Sequence, residues 1–167
     1  MFPQRTALRR ALTFPALATA CTLLPSAVAV PAATAGGSSR LDARERAVVH
    51  RINDIRAAHG LSRLKLRSGL SRAADRHSGK LHHRGVLSHQ LPGERSLGGR
   101  LAHAARKLPV GEVVMSATHA RSAQIVRAWM NSAGHRELLL SGQFNAAGIG
   151  IRAGSRGLYA TVDLAAR

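Results

Sequence analysis

Three side chains of the sequence could together form a small polar site: His89, Glu112 and His135. His89 follows a helical pattern in the loop sequence LSHQLPG, and His135 follows another such pattern in NSAGHRE. Glu112 is one of eight acidic residues and lies in PVGEVVM, between a glycine and apolar residues. Two imidazoles and a carboxylate can bind a divalent transition metal and leave positions open for water. Without a metal, the carboxylate can orient one imidazole as a general base, and the spacing does not decide between these uses.

The other histidines are predicted to have structural or surface positions. His77 lies on the apolar side of its helix, which favours a packed, hydrogen-bonded core residue over a ligand. Six others lie in polar contexts or on predicted solvent faces: His50, His59, His82, His83, His103 and His119. Gly134 directly precedes His135. We expect this glycine to adopt a left-handed turn at a helix end, so that the imidazole points back across that end.

Hydrophobic periodicity predicts three main helices that position these residues. They cover residues 41–60, 68–85 and 118–132, with a shorter helix over 100–107. The first is expected to end at His59-Gly60, and Thr118 is the predicted N-cap of the last. The second has an apolar face of Leu70, Ala73, Ala74, His77 and Leu81, and the last has one of Ile125, Val126, Trp129 and Met130.

The end of the chain has a different period. Residues 144–154 and 156–166 alternate in character and contain β-branched or aromatic residues, which predicts an antiparallel hairpin. Residues 108–116 are expected to be a loop that runs into a short extended segment. Helices followed by strands indicate an α+β layered domain.

The first 35 residues differ from the rest of the chain. Arg5, Arg9 and Arg10 form a basic head, an apolar stretch broken by prolines follows, and small residues precede Ala29 and Ala35. This order is typical of a secretory signal peptide, and we expect cleavage after Ala35, with Ala29 as the alternative. A transmembrane anchor is less favoured, because the uninterrupted apolar run is shorter than the roughly 20 residues of a membrane span.

Cys21 is the only cysteine and lies within this leader. Its context faintly resembles a lipidation site, but apolar TLLP follows where a polar tether would be expected, so lipoprotein anchoring is not favoured. The exported chain would then have no cysteine and would be held by its core, with or without a metal. We predict a signal peptide over residues 1–35, a flexible tether over 36–42 and one domain over 43–167.

The formal net charge is +17, from 25 basic and 8 acidic residues. Without the leader, 22 basic and 8 acidic residues remain, a net charge of about +14. Such a charge attracts polyanions, which outside a cell include anionic wall polymers, acidic lipid headgroups and stray nucleic acid. Nucleic acid is the least favoured, because the exported chain has three aromatic residues, and Trp129 and Phe144 look like core. An arginine-rich composition is also what a GC-rich genome produces.

Several segments together resemble the CAP superfamily, the cysteine-rich secretory, antigen 5 and pathogenesis-related proteins. In order, they are INDIRAAHGL, LSRAADRHS, LSH, GE, WMNSAGHRELLL, FNAAGIGI and LYATVDLA. The resemblance is to the bacterial secreted branch that lacks cysteines, and it covers residues 43–167. It implies an α-β-α sandwich with a central antiparallel sheet. It also implies an open cleft lined by two histidines and acidic residues, which in some members binds zinc or another divalent cation.

The resemblance assigns the cleft histidines to His89 and His135 and the first cleft glutamate to Glu112, with the two histidines as metal ligands. Eukaryotic members have a second glutamate after the helix tryptophan, whereas WMNSAGH contains no acid. The bacterial GEN is GEV here, and the usual proline before Gly134 is Ala133.

The family has several functions, so the site must decide between them. We expect a secreted binding module for an anionic wall polymer, a lipid or another ligand. Ser88, Ser132 and Ser141 lack a recognisable catalytic setting, which favours binding over catalysis. The alternative is a divalent-metal-dependent hydrolase of peptide or wall substrates, in which Glu112 acts as base or third ligand.

Overall fold

The computed structural model describes residues 41–106 and 108–166; the predicted signal peptide, Cys21 and residues 36–40 of the predicted tether lie outside these ranges. The helices are α1 (Ala43–Ala58), α2 (Ser68–Arg84), α3 (Leu97–Ala105), α4 (Ser122–Asn131) and α5 (Ala133–Leu139). The strands are β1 (Lys65–Leu66), β2 (Val110–Ala117), β3 (Ala146–Gly154) and β4 (Gly157–Ala165). None of the helices in the described ranges combines the length and apolar character that crossing a bilayer requires. Asp42 caps α1, and Leu41 packs against the core.

One mixed sheet with the strand order β1-β3-β4-β2 forms the middle layer. β4 pairs antiparallel with both β3 and β2, and the two-residue β1 adds to the edge of β3 in parallel. The α+β class and the predicted hairpin are confirmed. Every residue of β4 after Gly157 is buried, because helices cover both faces of the sheet. The alternation predicted for this strand therefore does not separate a buried face from a solvent face.

Two glycines of β3 allow α2 to lie directly on one face of the sheet. A Cβ at Gly148 would lie 2.5 Å from the Leu70 Cβ, and one at Gly150 would lie 2.6 Å from the carbonyl carbon of Ala74. Both distances are far inside the 3.5–4.0 Å or so of normal carbon contacts. The predicted apolar face of α2 is buried against this part of the sheet, as its sequence indicated. The motif GIGI thus fixes the distance between α2 and the sheet.

The other face of the sheet holds the larger hydrophobic core. The isoleucines of the GIGI segment, Ile149 and Ile151, point to this side and pack with residues of α1, α4 and α5. Trp129 of α4 is fully buried in this cluster, and Phe144 is buried with it, as predicted. With α2 and α3 on one side and α1, α4 and α5 on the other, the domain is an α-β-α sandwich.

A buried arginine connects α1 to the loops around α5. Arg56 is 1% exposed and donates hydrogen bonds to four carbonyl oxygens, those of Ser62, Leu139, Ser141 and Phe144. The distances run from 2.7 to 3.0 Å. The arginine of the INDIR segment, Arg56, therefore joins α1 to these loops, a role that helical periodicity alone does not indicate.

Three local predictions are wrong. The N-cap position of α4 is Arg121, whose side chain makes no capping hydrogen bond, and not Thr118, because β2 extends to Ala117 and the chain must turn before the helix begins. Helix α3 starts at Leu97 and not at residue 100, because the Ser96 side chain accepts the Gly99 N–H as an N-cap. The third correction concerns the chain before His135.

Gly134 does not adopt a left-handed conformation. The chain turns instead at Ser132, whose extended conformation (φ −89°, ψ 120°) separates α4 from α5. Gly134 is consequently the second residue of α5 and has an ordinary negative φ. His135 therefore lies in the first turn of a helix, and not after a glycine turn.

Candidate functional site

Glu112 is the centre of a buried polar cluster. It lies on β2, opposite Asp163 on β4, and its side chain is 1% exposed. One carboxylate oxygen, Oε1, is 2.9 Å from Nδ1 of His89, and the other, Oε2, is 2.6 Å from Nη2 of Arg100. Both oxygens are thus engaged, and the carboxylate orients two side chains on the α2–α3 side of the sheet.

His89 extends from this cluster into solvent. Its side chain is 60% exposed, although its Nδ1 faces the buried carboxylate of Glu112. When Nδ1 donates to the carboxylate, the other ring nitrogen, Nε2, keeps its lone pair for a ligand or a proton. Arg100 also donates to the backbone carbonyl of His89 at 3.0 Å, which fixes the loop that presents the ring.

His135 lies within electrostatic range of His89. It is half-buried in the first turn of α5. Burial lowers the pKa of His135, and the positive charge of protonated His89 lowers it further. The ring of His135 is therefore neutral at pH 7, with a lone pair that can accept a proton or bind a ligand. The structure brings His89 and Glu112 into direct contact and places His135 near them.

His77 of α2 lies beside the same cluster, with its Nε2 3.8 Å from Oε2 of Glu112. It is 1% exposed, its Nε2 is 3.0 Å from the carbonyl oxygen of Ser88, and its Nδ1 is 3.1 Å from Oε2 of Glu94. Glu94 in turn binds Lys80 at 2.9 Å. Burial favours the neutral form of Glu94, but the hydrogen bonds from Lys80, the Leu91 N–H and His77 lower its pKa. The prediction of a packed, hydrogen-bonded core histidine agrees with this geometry.

Asp163 is a buried acid that sequence reasoning missed. It is 0% exposed, and within the described ranges neither of its carboxylate oxygens has a hydrogen-bond partner. Burial raises the pKa of Asp163 well above its usual value, and the negative charge of Glu112 raises it further, against the opposing charges of Arg100 and Arg76. The signal in the sequence was an acid within the otherwise apolar strand LYATVDLA. Arg100 was missed because it comes from a short helix with no distinctive motif.

The site around His89, Glu112 and His135 offers few free protein ligands for a metal ion. Among the residues that the structure describes, no three His, Cys, Asp or Glu side chains form a group that could hold an ion. Catalytic zinc sites usually have three protein ligands. Glu112 would have to release His89 or Arg100 to become the third. The chemistry that follows from the described residues is that of the imidazoles and the carboxylate, and metal binding by His89 and His135 stays a prediction.

Among the described residues around His89, the imidazole can act as a base, but the Ser88 hydroxyl is not positioned to act as a nucleophile. The carboxylate of Glu112 can stabilise a proton on His89, as in a general base that activates water. The neighbouring hydroxyl of Ser88 donates to the Gln90 carbonyl at 2.7 Å and is not directed to the imidazole. Covalent catalysis by this serine is therefore not favoured.

Comparison with known proteins identifies the fold and family. The model of the cysteine-rich secretory protein family, CAP, matches residues 49–164. An outer surface protein from Borrelia burgdorferi is 20% identical with a TM-score of 0.67, and the match covers 76% of this chain and 96% of that one. An extracellular SCP-domain protein from Bacillus anthracis is 26% identical with the same TM-score, over 74% of this chain and 40% of that one.

A cysteine-rich secretory protein from Staphylococcus aureus is 19% identical with a TM-score of 0.59, over 74% of this chain and 39% of that one. The chain thus spans about two-fifths of the length of the Bacillus and Staphylococcus proteins. No curated protein sequence matches it. Because the family model matches well over half of the chain and the sandwich agrees with these structures, the protein belongs to the CAP, or cysteine-rich secretory protein, family.

Proposed function

We propose that this protein is a secreted binding module that holds an anionic wall polymer through its basic surface. The leader over residues 1–35 supports export. Two of the matched structures are an outer surface protein and an extracellular protein by their descriptions, which also supports a position outside the cell. Three of the matched structures come from bacteria, and an anionic wall polymer is a polyanion that a basic protein outside a bacterial cell would attract.

The observation that carries this proposal is how the few acidic residues are used. Seven of the eight carboxylates are buried, cap a helix or lie in ion pairs: Asp42, Glu45, Asp54, Asp75, Glu94, Glu112 and Asp163. Only a minority of the arginines in the described ranges have a carboxylate partner. The surface therefore presents unpaired guanidinium groups, which bind phosphate and carboxylate oxygens in pairs.

Binding to purified polymer tests the proposal. The protein is titrated into poly(glycerol phosphate), and a neutral polysaccharide of similar length serves as the control. We expect saturable binding to the anionic polymer that weakens as salt is added, because each contact releases condensed counterions. An absence of binding even at low ionic strength would overturn the proposal.

A second function is favoured by the geometry of His89 and Glu112. An exposed imidazole 2.9 Å from a buried carboxylate is suited to act as a general base in hydrolysis of a peptide or wall substrate. In that case Glu112 holds the ring and stabilises its protonated form, and water is the nucleophile. A bound divalent ion would add Lewis-acid activation of the water when present.

The double variant His89→Ala/His135→Ala separates the two functions. The hydrolase hypothesis predicts that any cleavage of peptide or wall substrates is lost and that any stoichiometric metal disappears from protein purified without chelators. Cleavage that persists in the folded variant would exclude this hypothesis. Unchanged polymer binding in the same variant is expected from the binding proposal, because neither substitution removes an arginine or a lysine.

A further inference from the structure

A basic groove runs along α2 on the side of the sheet that carries His77. It consists of two adjoining pockets of about 500 and 300 Å³, which share Arg76, Lys80, Gly93 and Glu94. We call this feature the α2 groove. Its other cationic or titratable lining residues are His77, His83, Arg84, Arg95 and Arg100. One wall is the outer face of α2 and the other is the loop that leads into α3.

The cations of the α2 wall are evenly spaced. Arg76, Lys80 and Arg84 lie four residues apart on one helix, and His83 lies beside them. A helix rises 1.5 Å per residue, so successive cations are about 6 Å apart along the groove. A row of charges with this spacing matches a linear ligand with repeated anionic groups better than a single compact anion.

The loop wall adds two further arginines. Arg95 is exposed at the rim, and Arg100 is 8% exposed at the inner end, close to the start of α3. Arg100 binds Glu112 through Nη2, whereas its Nε and Nη1 are buried without a hydrogen-bond partner in the described residues. The nine-residue α3 has no acidic residue in its first turn, so the positive end of its dipole is not neutralised there.

The charge of the groove is strongly positive after pairing. Glu94 is the one carboxylate among its lining residues, and it is bonded to Lys80. Arg76, Arg84 and Arg95 have no carboxylate partner within the ranges that the structure describes. No aromatic residue other than histidine lines either pocket, so nucleic acid bases would have little to stack on.

We propose that the α2 groove binds a linear phosphodiester polymer, with successive phosphates on Arg76, Lys80 and Arg84. This inference rests on the proposed function and gives it a site and a ligand class. Guanidinium forks bind phosphate oxygens in pairs, and the open, two-part groove accommodates an extended chain. Lys80 can contact the polymer while it holds Glu94, because its ammonium has three donors. His89 and His135 line neither of these two pockets.

Two variants of equal charge test the site. Arg76→Gln/Arg84→Gln removes two cations from the α2 groove, and Arg51→Gln/Arg127→Gln removes two exposed cations from α1 and α4, on the opposite face of the sheet. We expect the affinity for poly(glycerol phosphate) to fall at least about tenfold in the groove variant and less than about threefold in the control. Circular dichroism and thermal unfolding verify that both variants are folded.

The outcomes are distinguishable. Equal losses of affinity in the two variants would overturn the assignment of the binding site to the α2 groove. They would still agree with polymer binding by the whole basic surface. An absence of binding by the unmodified protein would overturn both proposals. Binding of single-stranded DNA of equal charge with the same affinity and the same sensitivity to Arg76→Gln/Arg84→Gln would contradict the assignment to a wall-type phosphodiester polymer.

Discussion

The close approach of α2 to the sheet predicts that Gly148→Ala strongly destabilises the protein. The added methyl group would lie 2.5 Å from the Leu70 Cβ and closer still to the backbone of Leu70 and Ser71. Since carbon atoms normally pack about 3.5–4.0 Å apart, α2 would have to move away by about 1 Å or more. Overpacking of this kind costs about 1–3 kcal/mol, and a clash with helix backbone belongs at the upper end of that range.

We therefore expect Gly148→Ala to lower the free energy of unfolding by about 3 kcal/mol and the melting temperature by roughly 10 °C. Chemical denaturation followed by circular dichroism measures the first quantity and a thermal scan the second. The matched control is Gly134→Ala, where a new Cβ would have nothing within 4 Å and the residue is helical with a negative φ. Alanine is the better helix former, so this variant is expected to gain about 0.5 kcal/mol.

Gly148→Ala tests the contact between α2 and β3, and Gly134→Ala tests the backbone conformation before His135. A Gly148→Ala protein as stable as the unmodified one would mean that α2 does not rest on β3 as described. If Gly134→Ala lowered the free energy of unfolding by more than about 1 kcal/mol, this would indicate that Gly134 adopts the left-handed conformation that the sequence predicts before His135.

Further predictions concern buried charges. Because the pKa of Asp163 is raised in the folded state, its stabilising contribution is complete below pH 3.8 and is lost as the pH rises through the folded pKa. Asp163→Asn should therefore gain stability relative to the unmodified protein as the pH rises from 4 to 7, by about 1.4 kcal/mol for each unit of the pKa shift. A pH-independent difference in urea unfolding would contradict this. Arg56→Met should lose at least about 3 kcal/mol, because four carbonyls lose their donor at about 1–3 kcal/mol for each unsatisfied group. Arg51→Met, on the exposed side of the same helix, should change stability by less than about 0.5 kcal/mol, and similar losses in the two would show that Arg56 has no special role. The pKa of His135 is lowered by burial and by His89, so the folded protein should lose stability below about pH 6.5 through this group, and His135→Gln should remove that part of the pH dependence.

Sequence patterns predicted the elements whose periods are long and regular. The apolar face of α2 and the core position of Trp129 followed from helical spacing, and the hairpin followed from a change of period near residue 144. The break between α4 and α5 could not be read in this way, because it depends on an extended Ser132 between two helical segments. The sequence predicts the turn at Gly134, whereas the folded protein has this glycine inside a helix.

The site was predictable in part. The sequence predicts His89, Glu112 and His135 as site residues, and the structure places the His89 ring against the Glu112 carboxylate; the roles of the three residues stay a prediction. Arg100, Glu94 and Asp163 were not singled out, since each is joined to the cluster only by tertiary packing of α2, α3 and β4. A buried acid beside another acid is recognised only when the strand register is known, because it is the register that places the two opposite each other.

The proposed groove and the His89–Glu112 cluster lie on the same side of the sheet. Most acids are buried, cap a helix or lie in ion pairs, and Arg76, Arg84 and Arg95 of the α2 groove have no carboxylate partner among the described residues. Arg100 belongs to both features, because it lines the groove and also holds Glu112 and the His89 loop.

The most direct test of polymer binding is the salt dependence of the affinity for poly(glycerol phosphate). For the unmodified protein we expect log K to fall linearly with log salt concentration, with a slope that reports the number of phosphates contacted. Arg76→Gln/Arg84→Gln should make the slope shallower by about 1.4, from about 0.7 for each lost contact, whereas Arg51→Gln/Arg127→Gln should leave it unchanged. Binding that does not respond to salt, or none at low salt, would contradict the account.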